Sequence, residues 1–152
     1  SQPKSPSPYA PPPCPPDGAK TVDVTTLTIN VYNGSESVGL ATTVQQELEE
    51  AGLTVASASD WPGGIYNGEV QILSSKGSLT NAYSLAQVFP NSTVKIDESL
   101  SDDDATVSVV LGKEYLQNAL NADEIKLLGS DKPITAPSDC VPADKSAKKK
   151  SS

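Results

Sequence analysis

Eight of the thirteen prolines in this 152-residue chain fall within its first sixteen residues, SQPKSPSPYAPPPCPP. Proline fixes φ and has no N–H to donate, so such a run excludes helix and central strand and favours extended polyproline II, a semi-rigid spacer. Cys14 closes that segment and the only other cysteine, Cys140, sits near the far end. Everything that reads as foldable lies between them. An even pair placed outside a core, with neither CxxC nor nucleophile spacing, reads as one disulfide, Cys14–Cys140, and as an oxidising compartment. A spacer followed by a stapled globular domain is the build of an ectodomain held off a membrane. The sequence has no methionine and no run of eighteen apolar residues. An anchor or signal peptide is therefore expected outside this chain, with membrane contact only through that anchor.

Composition narrows the chemistry by absence. There is no histidine, the usual neutral-pH acid–base residue and the commonest metal ligand. All eleven basic residues are lysines, so no guanidinium fork is present for bidentate recognition of phosphate, carboxylate or guanine. A formal net charge of -8 and a pI of about 4.4 argue against a nucleic-acid partner. With both cysteines bonded, catalysis would have to come from Ser, Thr, Tyr, Lys and carboxylates. No residue is assigned a catalytic role, and no motif implies a cofactor or a metal.

Three segments follow from length and patterning: a Pro-rich extracytoplasmic spacer over 1–24, a folded domain over 25–128 and a polar tail over 129–152 carrying the second cysteine. Residues 25–32 alternate, placing Leu27, Ile29 and Val31 on one face, which is strand periodicity. From Val38 the spacing changes to Leu40, Ala41, Val44, Leu48 and Ala51, the stripe of an amphipathic helix, with Gly52 where a left-handed cap belongs. Residues 53–58 read as a second strand. The pattern repeats as a strand over 69–73, a break at 76–78, a helix over 79–89 ended by Pro90, and a strand over 93–97. A fifth strand over 105–111 follows the acidic loop at 102–104, and 114–128 is expected to be partly helical. The fold class is α/β: a two-layer sandwich of tandem βαβ units, with a mixed sheet of about five strands. Right-handed crossovers put the two main helices on one face.

Within this pattern the stretches VYNGS from Val31, VGLA from Val38, LEEAGLTV from Leu48 and VVLGKEY from Val109 resemble the LytR C-terminal domain family. The likeness runs from about Leu27 to Leu116, and the N-G-S…G-L-A block is its most specific part. In that family the domain follows the catalytic domain of LytR–CpsA–Psr cell-wall glycopolymer transferases, or stands alone behind a membrane anchor in actinobacterial envelope proteins. The resemblance implies a stand-alone envelope module rather than transferase activity, because the transferase site is arginine-lined and belongs to a domain absent here. It also implies a bacterial source, in which the glycosylation-like triplets at Asn33 and Asn91 carry no meaning.

Candidate binding residues lie in two loops. The loop over 33–39 runs from strand into helix, where backbone N–H groups could hold an anion. It lacks GxGxxG spacing and a supporting cation, so Asn33 and Ser35 read mainly as turn residues, with Gly34 supplying an unusual φ. The connection over 60–68 sets Trp61, the only tryptophan, near Tyr66 on a Pro/Gly backbone. Such rings stack on sugars through their apolar faces, or they lid one edge of a small core. The acidic run 102–104, with Asp97 and Glu98, lacks EF-hand spacing and reads as a solvated loop. Lys148, Lys149 and Lys150 read as a mobile tail or a contact for anionic polymer. The expected function is a non-enzymatic, extracytoplasmic module supporting wall assembly or envelope integrity, its partner an envelope protein or a cell-wall glycan. The alternatives are a regulatory domain sensing a small envelope precursor, an accessory domain of a glycopolymer transferase and, from another class, an enzyme, either a Ser/Lys hydrolase (with Ser78 the serine to test) or a carboxylate-pair glycosidase.

Overall fold

The computed structural model describes residues 10–143. Strand β1 (Thr28–Gly34) buries Ile29 and Val31 completely and turns Asn30 and Tyr32 to the other face. It starts three residues later than periodicity suggests. Asp23 accepts the Thr25 N–H at 2.9 Å and winds Val24–Thr26 into a 3-10 turn first. Helix α1 (Leu40–Glu50) buries Leu40, Ala41, Val44 and Leu48. Gly52, at φ 92°, ends it as expected, and the Leu53 N–H returns to the Leu48 carbonyl at 3.0 Å. Then follow β2 (Thr54–Asp60), β3 (Val70–Ser74), α2 (Leu79–Ala86), β4 (Ser92–Ile96), β5 (Val107–Gly112) and α3 (Ala122–Lys126). The second helix is shorter than its apolar stripe. Residues 87–89 continue as i→i+3 turns, such as the Val88 N–H to the Leu85 carbonyl at 2.9 Å, and so still bury Phe89 before Pro90. In the 114–128 region only α3 is helical, fixed by a capping box between Asn121 and Glu124.

The strands are ordered β2-β1-β5-β3-β4. β1 pairs in parallel with β2 and β5, β3 pairs in parallel with β4, and the join between the halves is the antiparallel pair β5–β3. Each half is one βαβ unit. Residues of α1 and α2 meet Ile29, Val31, Val70, Ile72, Val107, Val109 and Leu111 in a single core cluster, so both helices cover the same sheet face. The result is the mixed, two-layer α/β sandwich expected from the repeat.

The opposite face carries two aligned rows. One is Ser59, Tyr32, Val110, Gln71 and Thr93, and the other is Ser57, Asn30, Ser108, Leu73 and Lys95, read across β2, β1, β5, β3 and β4. Among the described residues no helix covers these rows.

The chain ends lie along the domain within the described range. Pro13 and Val141 form a parallel bridge, the Cys14 N–H donates to the Val141 carbonyl at 2.9 Å, and the Val141 N–H donates to the Pro12 carbonyl at 2.8 Å. Cys14 and Cys140 are joined by a disulfide, with their Cα atoms 4.9 Å apart. Prolines suit this ribbon because Pro12 and Pro13 serve only as acceptors. The strap is pinned to α2 by the Tyr83 hydroxyl, which donates to the Pro13 carbonyl at 2.5 Å. A second clasp joins Thr21 to Lys132 through N–H···O contacts of 2.8 and 3.1 Å, and the Val22 N–H reaches Ser84 Oγ at 2.9 Å. The segments read from sequence as spacer and polar tail are thus hydrogen-bonded to the domain over 10–24 and 129–143. Lys148, Lys149 and Lys150 lie outside the described residues.

Burial pushes the Tyr83 hydroxyl up to about 12 from 10.0, and burial together with the Glu47 charge does the same for Tyr115. A folded pKa above the unfolded value means the native state holds these protons longer, so stability is lost as pH rises from about 10 towards 12. Tyr83→Phe is expected to lower the melting temperature at neutral pH by removing the strap hydrogen bond. It is also expected to make the alkaline loss shallower than in wild type, through Tyr115 alone. Thermal melts across that range check both, and an unchanged alkaline slope contradicts the assignment to Tyr83.

Candidate binding site at the ends of the central strands

To reach β3 from β2, the chain must cross the C-terminal ends of β1 and β5. It does so over residues 61–69. The Trp61 N–H donates to the Asn33 carbonyl (3.0 Å) and the Tyr66 N–H to the Gly34 carbonyl (2.8 Å). Past that point the Lys113 N–H donates to the Tyr66 carbonyl and the Gly112 N–H to the Glu69 carbonyl, both at 2.8 Å.

Two glycines, opposite each other in the β1–β5 register, make this crossing possible. A Cβ on Gly112 would collide with the Gly68 carbonyl and the Tyr66 ring. One on Gly34 would sit 3.1 Å from Val110 Cγ1 and 3.2 Å from both the Leu111 carbonyl oxygen and Tyr66 Cβ. Gly34 therefore eases a close approach that Gly112 makes possible. Its φ is not in the left-handed region, contrary to the expectation from sequence; Gly39, at φ 81°, holds that conformation instead. Tyr66 lies across this saddle and meets Trp61 edge to face, with centroids 6.3 Å apart and planes at 83°.

The loop before α1 packs against the same crossing. Asn33 Oδ1 accepts the Ser35 N–H (3.0 Å) and hydroxyl (2.6 Å), its amide donates to the Ser37 carbonyl (2.8 Å), and Ser35 Oγ accepts the Ser37 N–H (3.0 Å). Both side chains are occupied by their own turn, the role the sequence favoured. Between this loop and the 60–65 segment lies a shallow cleft of about 340 Å³. Asn33, Ser35 and Trp61 line it, while Tyr66 stands behind Trp61 as a support. Glu36 and Asp60 also line it and, among the described residues, no lysine does, which disfavours an anion. Two exposed apolar side chains stand among these polar ones: Val38 is fully exposed, at 103% of its reference area, and Ile65 is 46% exposed.

Trp61 has a second side. A trough of about 330 Å³ on the helix-free face is floored by Asn30, Tyr32, Ser108 and Leu73. Trp61 and Pro62 wall one end, and the 97–106 connection walls the other, through Asp97, Leu100, Asp104 and Thr106. These residues carry no motif. The one signal available in the sequence was a large aromatic, Tyr32, on the polar side of an alternating strand.

The acidic loop is held by its backbone as well as solvated. Ser75 and Ser78 hydroxyls both donate to the Asp104 carbonyl, at 2.8 and 2.7 Å. A Cβ on Gly77 would strike the Asp102 carbonyl. Its carboxylates diverge: Asp104 accepts from the Thr106 N–H and hydroxyl, Asp103 from Ser101, and Asp102 lies 3.9 Å from Lys76. Ser78, buried and bonded to a carbonyl, has no base beside it among these contacts.

The family model described as LytR cell envelope-related transcriptional attenuator matches residues 26–115. The chain belongs to this LytR_C family. The matched span holds all five strands, α1, α2 and both concavities, and excludes the disulfide strap. Cell wall biosynthesis protein LcpA of Corynebacterium glutamicum is 28% identical over 138 residues, covering 82% of this chain and 26% of LcpA. The chain thus spans about a quarter of that relative's length. The crystal structure of the soluble domain of a conserved hypothetical secreted protein from Mycobacterium marinum has the same fold. It superposes with a TM-score of 0.61 at 21% identity, covering 77% of this chain and 82% of that one.

The geometry separates the two rings. Tyr66→Ala is expected to cost ~2 kcal/mol and several degrees of melting temperature, because the ring fills the glycine saddle. Trp61→Ala should cost about 1 kcal/mol, the worth of an aromatic pair. Gly112→Ala should exceed both. Thermal melts check the order, and a Trp61→Ala loss equal to that of Tyr66→Ala would make Trp61 a core lid.

Proposed function

We propose that this chain is a non-catalytic binding module of the cell envelope, acting outside the membrane in support of wall assembly or integrity. We propose further that it docks an envelope protein through the apolar pole formed by Val38, Trp61 and Ile65. The observation that carries this reading is Val38, fully exposed beside a half-exposed Ile65 at the mouth of the Trp61 cleft. Exposed apolar side chains gathered around an aromatic are the composition of an interface core. Membership of the LytR_C family and the likeness to a cell wall biosynthesis protein support the envelope setting. The disulfide supports an oxidising compartment. A chain without histidine or arginine, in which the Ser78 hydroxyl is tied to the Asp104 carbonyl, favours binding over catalysis. Among the described residues no helix is long and apolar enough to cross a membrane, so a tether would be a separate segment.

A second reading, an accessory module of a glycopolymer transferase, is favoured by the match to only 26% of LcpA. Both readings use the same pole. Val38→Asp and Ile65→Asp, introduced into the native protein in its own host, are expected to abolish its site-specific cross-linking to an envelope protein from a photoreactive residue placed at Ser37, while changing stability by less than about 0.5 kcal/mol. Undiminished cross-linking with either variant would remove the pole from the account.

A further inference from the structure

The trough on the helix-free face differs in chemistry from the apolar pole. Its floor mixes ring and aliphatic surface with polar groups that have no partner. Among the described residues, the Tyr32 hydroxyl, the Asn30 amide nitrogen, the Ser108 hydroxyl and the Trp61 indole N–H make no hydrogen bond, although Asn30 Oδ1 accepts from Ser57 at 2.8 Å. The charged groups lining it are carboxylates. Asp97 Oδ1 is taken by the Ser99 N–H and hydroxyl and Asp104 Oδ1 by those of Thr106, which leaves each Oδ2 unpartnered. The two bonds from Thr106, its hydroxyl first, hold the Asp104 carboxyl below its usual range, so it is ionised at neutral pH. Lys95 faces the same side one strand beyond Leu73 and does not line the trough.

A ligand that suits this lining offers apolar CH faces to two rings, several hydroxyls to unpartnered donors and acceptors, and no negative charge. We propose that the trough binds a neutral polysaccharide chain, with sugar rings laid against Tyr32 and Trp61 and hydroxyls donated to Asp97 and Asp104. Acceptor carboxylates make strong, short bonds to hydroxyl donors. The same charges repel a uronate or phosphate polymer. Three strands about 4.8 Å apart give a floor about 10 Å wide, open at the surface, suited to an internal stretch of a chain rather than a small buried ligand. The proposal rests on the reading of this protein as an envelope binding module, and assigns a ligand class to a face that shares only Trp61 with the docking pole.

The test is titration of the isotopically labelled chain with four soluble neutral polymers, dextran, galactan, arabinan and mannan, with polygalacturonate as the charged counterpart of galactan. At least one neutral polymer is expected to shift the Asn30 and Ser108 amides and the Trp61 indole, while polygalacturonate leaves them unmoved. Tyr32→Ala should weaken that binding at least tenfold. Asn30→Asp, an isosteric change that avoids doubt about folding, should weaken it by a similar factor. Asp104→Asn should narrow the gap between galactan and polygalacturonate. Val38→Asp should leave glycan binding unchanged, so failure of the protein-docking pole and failure of the trough are read separately. No shift with any of the four neutral polymers, equal or tighter binding of polygalacturonate, or shifts confined to Val38 and Ile65 would each overturn the proposal.

Discussion

Among the described residues strand β5 is the last in sequence and the middle strand in the sheet, and that insertion is the constraint on which the rest depends. Each βαβ unit is a two-stranded parallel pair under one helix, too small to bury its apolar face alone. β5 supplies the missing neighbour to both. Val107, Val109 and Leu111 sit between the two half-cores and join them in one cluster. Its bonds run parallel to β1 on one side and antiparallel to β3 on the other, so the two units face in opposite directions.

The binding surface follows from that topology. The chain must leave the outer strand β2 and cross β1 and β5 to start β3, then leave the outer strand β4 and cross β3 to start β5. These crossings sit at opposite ends of the sheet because β2 and β4 point in opposite directions. The first needs the glycine pair Gly34 and Gly112, since any side chain there would meet the Tyr66 segment. The second is tied down by Ser75 and Ser78. Together they wall a trough on the one face the helices leave open, and Trp61 stands between that trough and the cleft beside the loop before α1. Family-matched residues build both concavities, while the disulfide strap closes the domain from outside the match.

Elements governed by local periodicity were legible in the sequence. The alternation around Ile29 and the stripe from Leu40 to Leu48 set β1 and α1, and Gly52 set the helix end. The position of β5 was not legible, because an apolar strand of six residues carries no label for which neighbours it joins. The terminal ribbon was missed for a related reason: polyproline segments read as unpaired, yet Pro12 and Pro13 accept hydrogen bonds as well as any residue. At the candidate site, Asn33 and Ser35 were readable as a self-contained turn, and Trp61 and Tyr66 as neighbours. The trough was not, since Asn30, Tyr32, Leu73 and Ser108 come from three strands and their polar alternation reads only as a solvent face. The role of Gly34 was misread as conformational because the segment it lets pass lies some thirty residues away, at Tyr66.

The central claim, that β5 unites two half-domains into one cooperative unit, is tested most directly by native-state hydrogen exchange under increasing denaturant. The amides of Ile29–Val31, Ile72 and Val109–Leu111 are expected to converge on a single opening free energy equal to that of global unfolding. If the β1–α1–β2 residues open with one free energy and the β3–α2–β4 residues with another, with β5 following only one of them, the halves are independent and the account fails.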